Sequence, residues 1–203
     1  MVKDDLLDAA ITLVRAQGFA ATSVDELCRT AGVTKGAFFH YFPSKEALGE
    51  AAAEHWSATT GAFFATAAYH DLDDPADRVL AYIDLRRQLI SGSPAQYSCY
   101  AGTLAQETFV SNPALRDACG ASILGHAATL EDDLAAALGA HRPDGVDAAG
   151  LARHIQVVLQ GAFVVSKAAD DPQLAIDSIA HLRRYLRMLF ATSEDDHTEG
   201  VHR

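Results

Sequence analysis

The sequence predicts an all-α fold, with a small three-helix domain at the N-terminus and a larger helical domain after it. Apolar residues recur at intervals of three and four along most of the chain, which is the period of an amphipathic helix. Helix-start signals such as Asp74-Pro75 and Asp171-Pro172 divide this pattern into about nine helices. Because no segment shows the alternation of a half-buried strand, we expect helices alone.

The composition is that of a globular protein. The 203 residues are 49% hydrophobic and 21% charged, and the formal net charge is −11. The three cysteines, Cys28, Cys99 and Cys119, have no paired spacing, and the N-terminus lacks the basic start and apolar core of a signal peptide. The apolar run 157–165 is interrupted by Gln160. We therefore expect a soluble, cytoplasmic protein with reduced thiols and no membrane contact.

The first helix is predicted over residues 3–17, and the stretch 22–48 that follows predicts a helix-turn-helix. A capping box at 23–26 starts a short helix, and Gly32 permits the positive φ that ends it. Thr34 caps a second short helix that extends to residue 41, with Phe38 on its inner side. In this motif the second helix enters the major groove of DNA.

The distribution of charge favours the same interpretation. Residues 1–50 carry five Lys or Arg and seven Asp or Glu, a net −2, so −9 falls on the rest of the chain. No acidic residue lies between Glu26 and Glu46, whereas Arg29, Lys35 and Lys45 all do. Such a basic window is expected of a surface that binds phosphates. An ordinary helical hairpin with a solvated face is the alternative.

Residues 6–48 resemble the DNA-binding domain of the TetR family of bacterial regulators. The matching elements agree in order and spacing: Ala9-Ala10, Phe19, Thr22-Ser23-Val24, Ala31-Gly32-Val33, Lys35-Gly36 through Phe42, and Ser44 through Leu48. The family usually has Tyr at the position of Phe39, so one hydroxyl that would bind phosphate is missing here.

This resemblance implies a DNA-binding site on and around the second helix of the motif. We expect base edges to be contacted by Thr34, Lys35, Gly36 and Ala37, of which Gly36 and Ala37 are small enough for close approach. The residues expected to hold phosphates are Thr22, Ser23, His40, Tyr41 and Lys45.

The remaining helices are predicted in order from their start and stop signals. A connecting helix runs from Ser44 to about residue 68, and the next helices are expected over 75–90, 99–109, 113–138, 148–169 and 172–191. Loops are expected at 91–94 and 141–145. We assign residues 1–46 to the DNA-binding domain and 47–192 to a ligand-binding and dimerisation domain, and we expect 193–203 to be a disordered tail.

The last two predicted helices carry broad apolar stripes. In the TetR family this pair of helices forms the dimer interface, so the resemblance assigns these stripes to a partner chain. The residues concerned are Leu151, Ile155, Val158, Ile179, Leu182, Leu186 and Phe190. The alternative is that the two helices belong to the core of a monomer.

The stretch 97–107 resembles the effector-domain segment of one TetR branch, which lies beside the ligand cavity. The candidate ligand-binding residues are Phe63, Phe64, Cys99, Leu104, Glu107, His126 and Phe163. Cys99 is either a small buried hydrophobe or a thiolate that senses electrophiles or oxidants. Glu107 is either a capping or ion-pairing residue or a ligand contact.

No catalytic constellation accompanies these features. The nine histidines show no metal-ligand spacing, and no glycine loop could hold a phosphate, so we expect no enzyme, metal or cofactor. The sequence therefore predicts a transcriptional regulator, a repressor that binds a palindromic operator as a homodimer and is released by an apolar or aromatic effector. The alternative is an all-helical ligand carrier or enzyme whose helix-turn-helix is only scaffold.

Overall fold

The computed structural model describes residues 2–139 and 145–191, and within these ranges it is all-helical, which confirms the predicted fold class. Eleven α-helices and one 3₁₀ turn (Ala68–Asp71) are present in the described ranges. The helices are α1 (Val2–Gln17), α2 (Val24–Ala31), α3 (Lys35–Tyr41), α4 (Lys45–Ala65), α5 (Pro75–Gln88), α6 (Pro94–Tyr97), α7 (Tyr100–Thr108), α8 (Pro113–Ala128), α9 (Glu131–Leu138), α10 (Ala148–Ala169) and α11 (Pro172–Ala191).

The described residues contain two more α-helices than the nine predicted, and each arises at a specific point. The helix predicted over 113–138 is divided into α8 and α9 at Leu130, whose N–H donates to the Ala127 carbonyl three residues back. The single turn α6 lies partly in a predicted loop, and its start is fixed by a capping box between Ser93 and Gln96. The predicted tail and most of the predicted 141–145 loop lie outside the described residues.

The described residues divide into two compact units that do not follow the sequence order. Of the described residues, the first contains 2–64 and 92–126, and the second contains 65–91, 127–139 and 145–191. Helices α6 to α8 are therefore packed with the N-terminal helices. The functional boundary after residue 46 stays a prediction, because packing alone does not say which residues bind DNA.

One apolar core holds the first compact unit together. Leu6, Val14, Leu27, Phe38 and Leu48, from α1 to α4, are each at most 1% exposed. They share this core with residues of α7 and α8, namely Tyr100, Ala101, Leu104, Leu115 and Cys119. The burial of Cys119 raises the pKa of its thiol to about 12, so this thiol stays protonated at neutral pH.

The second unit is built around α5, α9, α10 and α11. Tyr82 and Ile83 of α5 are fully buried, as are Ile155 and Ile179 of the last two helices. Two ion pairs lie at the edge of this core: Arg78 Nη2 is 2.7 Å from Asp133 Oδ1, and Arg183 Nε is 2.8 Å from Asp84 Oδ2. The half-buried Arg78–Asp133 pair connects α5 with α9.

The stripes assigned to a dimer interface instead form this core. Within the single chain Ile155, Ile179 and Leu186 have no exposed surface, Leu151 and Leu182 are 4% exposed and Phe190 is 8% exposed, while Val158 is half-buried. A side chain without solvent-exposed surface cannot contact a second chain. The single chain therefore leaves Ile155, Ile179 and Leu186 no surface for a partner, since the regular apolar period of both helices is satisfied inside the chain. The dimer contacts of the other four residues stay a prediction.

A different face of α10 and α11 is exposed. Val157 is 66% exposed, Val165 55% and Met188 68%, and Tyr185 is 41% exposed. His154 and Tyr185 are in ring contact at 5.8 Å, so the exposed stripes of the two helices adjoin. By length and composition alone α10 could also cross a membrane, a property it shares with many core helices of globular proteins.

Candidate nucleic-acid interface

Helix α2 is defined at both ends by its own sequence. The Ser23 hydroxyl accepts the Glu26 N–H at 3.2 Å, and the Glu26 carboxylate accepts the Ser23 N–H at 2.9 Å, so the predicted capping box is present. Gly32 ends the helix with φ of 67°, a conformation that favours glycine, and the following Val33 N–H closes the turn on Cys28 O.

Helix α3 presents one face to the core and the other to solvent. Thr34 is its N-cap, with its hydroxyl accepting the Ala37 N–H at 3.2 Å. Phe38 is fully buried and stacks at 6.1 Å against Phe42, which is 4% exposed. This packing fixes the helix while its opposite side remains free for recognition.

Most of the predicted DNA contacts are exposed to solvent. The solvent-exposed residues are Ser23, Thr34, Lys35, Gly36, His40 and Tyr41, while Ala37 is half-buried. A Cβ added at Gly36 would meet only the Thr34 hydroxyl, at 3.7 Å, so the space above Gly36 is open to a base edge. Phe39 is 56% exposed and offers an apolar ring where the family usually has Tyr.

Two side chains predicted to bind phosphate, Thr22 and Lys45, are instead hydrogen-bonded to backbone carbonyls of the protein. The Thr22 side chain is 1% exposed, and its hydroxyl donates to Gly18 O at 2.7 Å. The Lys45 ammonium donates to Phe19 O at 2.9 Å and to Thr22 O at 3.0 Å, and it lies 4.4 Å from the centre of the Phe19 ring. Both side chains therefore support the turn between α1 and α2, and a phosphate contact by Lys45 would require it to leave these carbonyls.

Sequence reasoning missed Asp25 as part of this surface. Its carboxylate lies 2.7 Å from the Lys35 ammonium, and both side chains are largely exposed. The hydrogen bond with Asp25 is the main reason why the pKa of Lys35 is raised, so this lysine remains a cation at any physiological pH. No local signal relates Asp25 on α2 to Lys35 on α3, because the two meet only after the turn has formed.

The predicted ligand-binding residues are divided between the two compact units. Phe63, Phe64 and His126 lie together in the first unit, with ring centres 5.1 Å apart between the phenylalanines and 4.8 Å between Phe64 and His126. Leu104 is fully buried in the core of that unit. Phe163 belongs to the second unit, where its ring is 5.8 Å from the Arg86 guanidinium.

Cys99 and Glu107 lie at opposite ends of α7. Cys99 is half-buried and caps the helix, its sulfur accepting the Gly102 N–H at 3.4 Å. The Glu107 carboxylate accepts two backbone N–H groups of the α1–α2 turn, from Phe19 and Ala20. Of the two interpretations of Glu107, the structure favours the capping role, because both carboxylate oxygens are engaged with these backbone groups.

A helix-turn-helix followed along the chain by further helices is the arrangement of a DNA-binding transcriptional regulator. Residues 6–52 match the model of the bacterial regulatory proteins of the tetR family, and residues 75–180 match the C-terminal domain of LmrA/YxaF-like transcriptional regulators. The chain belongs to the TetR family, as the resemblance of residues 6–48 implied.

Individual relatives agree with this assignment. The HTH-type transcriptional repressor NemR of Escherichia coli K12 is 36% identical over 80 residues, 39% of this chain and 40% of NemR. The uncharacterised regulator YxaF of Bacillus subtilis is 26% identical over 121 residues, 58% of this chain and 61% of YxaF. The reduced form of E. coli NemR superposes with a TM-score of 0.77 at 25% identity, over 90% of this chain and 95% of that structure.

These sequence matches are partial. The aligned region spans less than half the length of two curated relatives, 19% of the B. subtilis regulator YerO and 40% of NemR. The relatives are transcriptional regulators, and the family assignment rests on the two domain models together with the fold.

Proposed function

We propose that this protein is a homodimeric repressor that binds a two-fold symmetric operator and leaves it when a small molecule binds. The observation that carries the proposal is α3, whose buried Phe38 anchors the helix while Lys35, Gly36 and Phe39 face solvent. A short helix held in this way, with a cation at its N-terminal end, fits the major groove. NemR, which is similar over 80 residues, is named a repressor.

The proposed contacts divide by chemistry. Thr34, Lys35, Gly36 and Ala37 would meet base edges, with Lys35 exchanging Asp25 for a guanine or a phosphate. Ser23, His40 and Tyr41 would hold phosphates, which positions the protein without reading sequence. Thr22 and Lys45 would contribute by supporting the α1–α2 turn, unless Lys45 exchanges its carbonyl partners for a phosphate.

We assign the dimer interface to the exposed face of α10 and α11, which carries Val157, Val165, Tyr185 and Met188. Gly161 supports this choice. It lies exposed inside α10, and a Cβ there would meet nothing within 4 Å of its own chain. Gly costs about 1 kcal/mol relative to Ala in a helix interior. Close approach of a second copy would explain why α10 has a glycine here, which no contact among the described residues of the single chain explains.

The effector site would lie near the Phe63, Phe64 and His126 rings, which suit an apolar or aromatic molecule. A cytoplasmic location follows from the role in transcription. The rival function, an all-helical carrier or enzyme with an inert helix-turn-helix, differs in that it requires no sequence-specific DNA binding.

Selection of DNA duplexes from a randomised pool separates the two functions. We expect the wild-type protein to enrich a palindrome, and Lys35→Ala to bind that palindrome at least about tenfold more weakly and with relaxed sequence preference. Lys3→Ala is the matched control, because Lys3 is an exposed lysine on α1, outside the helix-turn-helix. A wild-type protein that enriches no sequence would refute the proposed function.

A further inference from the structure

The turn between α1 and α2, residues 18–22, is held from a distant part of the chain by Glu107. The Glu107 carboxylate accepts the Phe19 N–H at 3.0 Å and the Ala20 N–H at 2.8 Å. These are consecutive amides that belong to neither helix. Gly18 makes the approach possible: its φ is +88°, and a Cβ at this residue would lie 2.4 Å from Glu107 Oε1. The turn is therefore shaped to receive a carboxylate.

A second contact holds the last turn of α1. Arg15 Nε donates to Ser98 O at 2.7 Å, and a second nitrogen of its guanidinium donates to Gln96 O. The guanidinium also lies 5.0 Å from the centre of the Trp56 ring. Burial lowers the pKa of Arg15, but an arginine this close to two carbonyls remains a cation. Arg15 thus meets the residues just before α7, while Glu107 extends from the far end of α7.

The two contacts together bear on the orientation of the DNA-reading helices. Ala20 is only three residues from Ser23, the residue that caps α2, and α3 follows α2 after a tight turn. The carbonyls of the same α1–α2 turn are taken by Lys45 and by Thr22. Fixing Phe19 and Ala20 therefore fixes where α2 begins.

We propose that Glu107 is a positioning residue for DNA binding: it fastens the α1–α2 turn to α7, so that α7 sets the orientation of α2 and α3. Arg15 supports this arrangement by holding the last turn of α1 to the segment just before α7. The proposal rests on the assignment of α3 to the DNA interface. It gives α7, which lies within the C-terminal family domain, a direct contact with the turn that leads into the helix-turn-helix. Glu107 acts through the backbone of the turn and makes no contact with DNA itself.

Amide hydrogen exchange in the free protein tests the contact. In Glu107→Ala the Phe19 and Ala20 amides lose their acceptors, and we expect their exchange to accelerate by about tenfold or more. Gln106→Ala is the matched control, because the neighbouring Gln106 side chain donates to Gly102 O within α7. Unchanged exchange of both amides in Glu107→Ala would overturn the proposal.

DNA affinity tests the consequence, with the duplex that the wild-type protein selects from a randomised pool as the probe. We expect Glu107→Ala to bind this duplex about tenfold more weakly with an unchanged salt slope, because no phosphate contact is lost. Gln106→Ala should bind as the wild type does. Accelerated exchange with unchanged or tighter DNA binding would overturn the positioning role.

Glu107→Gln keeps the experiment decisive if Glu107→Ala does not fold. The amide retains one accepting oxygen and presents a donor to the other N–H, so the two amides should respond unequally and DNA affinity should fall by less. A loss of DNA affinity in Glu107→Gln without any change in the exchange of either amide would mean that Glu107 acts through its charge and not through the turn, which would overturn the proposal. A wild-type protein that selects no duplex would instead refute the proposed function, and the positioning role with it.

Discussion

Replacing Val157 with Glu tests the assignment of the dimer interface to the exposed face of α10 and α11. Val157 is 66% exposed in the single chain. Full burial of a valine is worth roughly 1.5–3 kcal/mol, so covering this exposed part contributes roughly 1–2 kcal/mol per copy. A two-fold interface contains two copies, and a buried, unpaired carboxylate costs several kcal/mol more. We therefore expect the dimer dissociation constant to rise by at least about a thousandfold, equivalent to about 4 kcal/mol.

Sedimentation of the variant at micromolar concentration should show a monomer that retains its helical circular dichroism. When both proteins are monomeric, the variant should be about as stable to heat as the wild type, because an exposed helical position tolerates Glu within about 0.5 kcal/mol. The matched control is Leu186→Glu. Because Leu186 has no exposed surface in the single chain, this substitution should unfold the second compact unit instead. A Val157→Glu protein that remains a dimer would refute the assignment of this face.

Three further predictions concern Lys45 and Cys99. Lys45→Ala should weaken DNA binding and lower the melting temperature together, because the Phe19 and Thr22 carbonyls lose their donor. The slope of affinity against salt should stay unchanged. A drop of that slope by about one unit would show that Lys45 does contact a phosphate. In native protein treated with iodoacetamide, mass spectrometry should find Cys99 modified before Cys28 and Cys119, because those two are buried and burial raises the pKa of both thiols. Cys99→Ser should abolish release of DNA by an electrophile if Cys99 is a sensor, and release that persists would contradict that role.

Features that are encoded locally were predictable from the sequence. The capping box at Ser23, the positive φ of Gly32 and the N-cap at Thr34 each depend on residues within four positions, and each is present. The helix-turn-helix followed from these signals and from the burial of Phe38. The helices themselves followed from the apolar period.

The features that the sequence did not predict depend on contacts between residues far apart in the chain. The period of α10 and α11 identified Ile155 and Leu186 as buried, but a period does not tell whether a neighbouring helix belongs to the same chain or to a second one. The exposed face that we assign to a partner is less regular, since it includes Gly161 and His154. Glu107 and the Phe19 amide are 88 positions apart, so no local pattern could relate them.

The shared core of α1 to α4 with α7 and α8 sets a limit on how the protein can be divided in engineering. A chimaera that grafted only residues 6–52, the extent of the N-terminal family model, onto another regulator would leave behind Tyr100, whose hydroxyl donates to Gly49 O, and the buried Leu104 and Leu115. The transplanted segment 6–52, here called the head, would expose apolar surface. It would also lose the Glu107 carboxylate that holds its α1–α2 turn. A graft that exchanges operator specificity should therefore carry residues 92–126 together with the head, or recreate their contacts in the recipient.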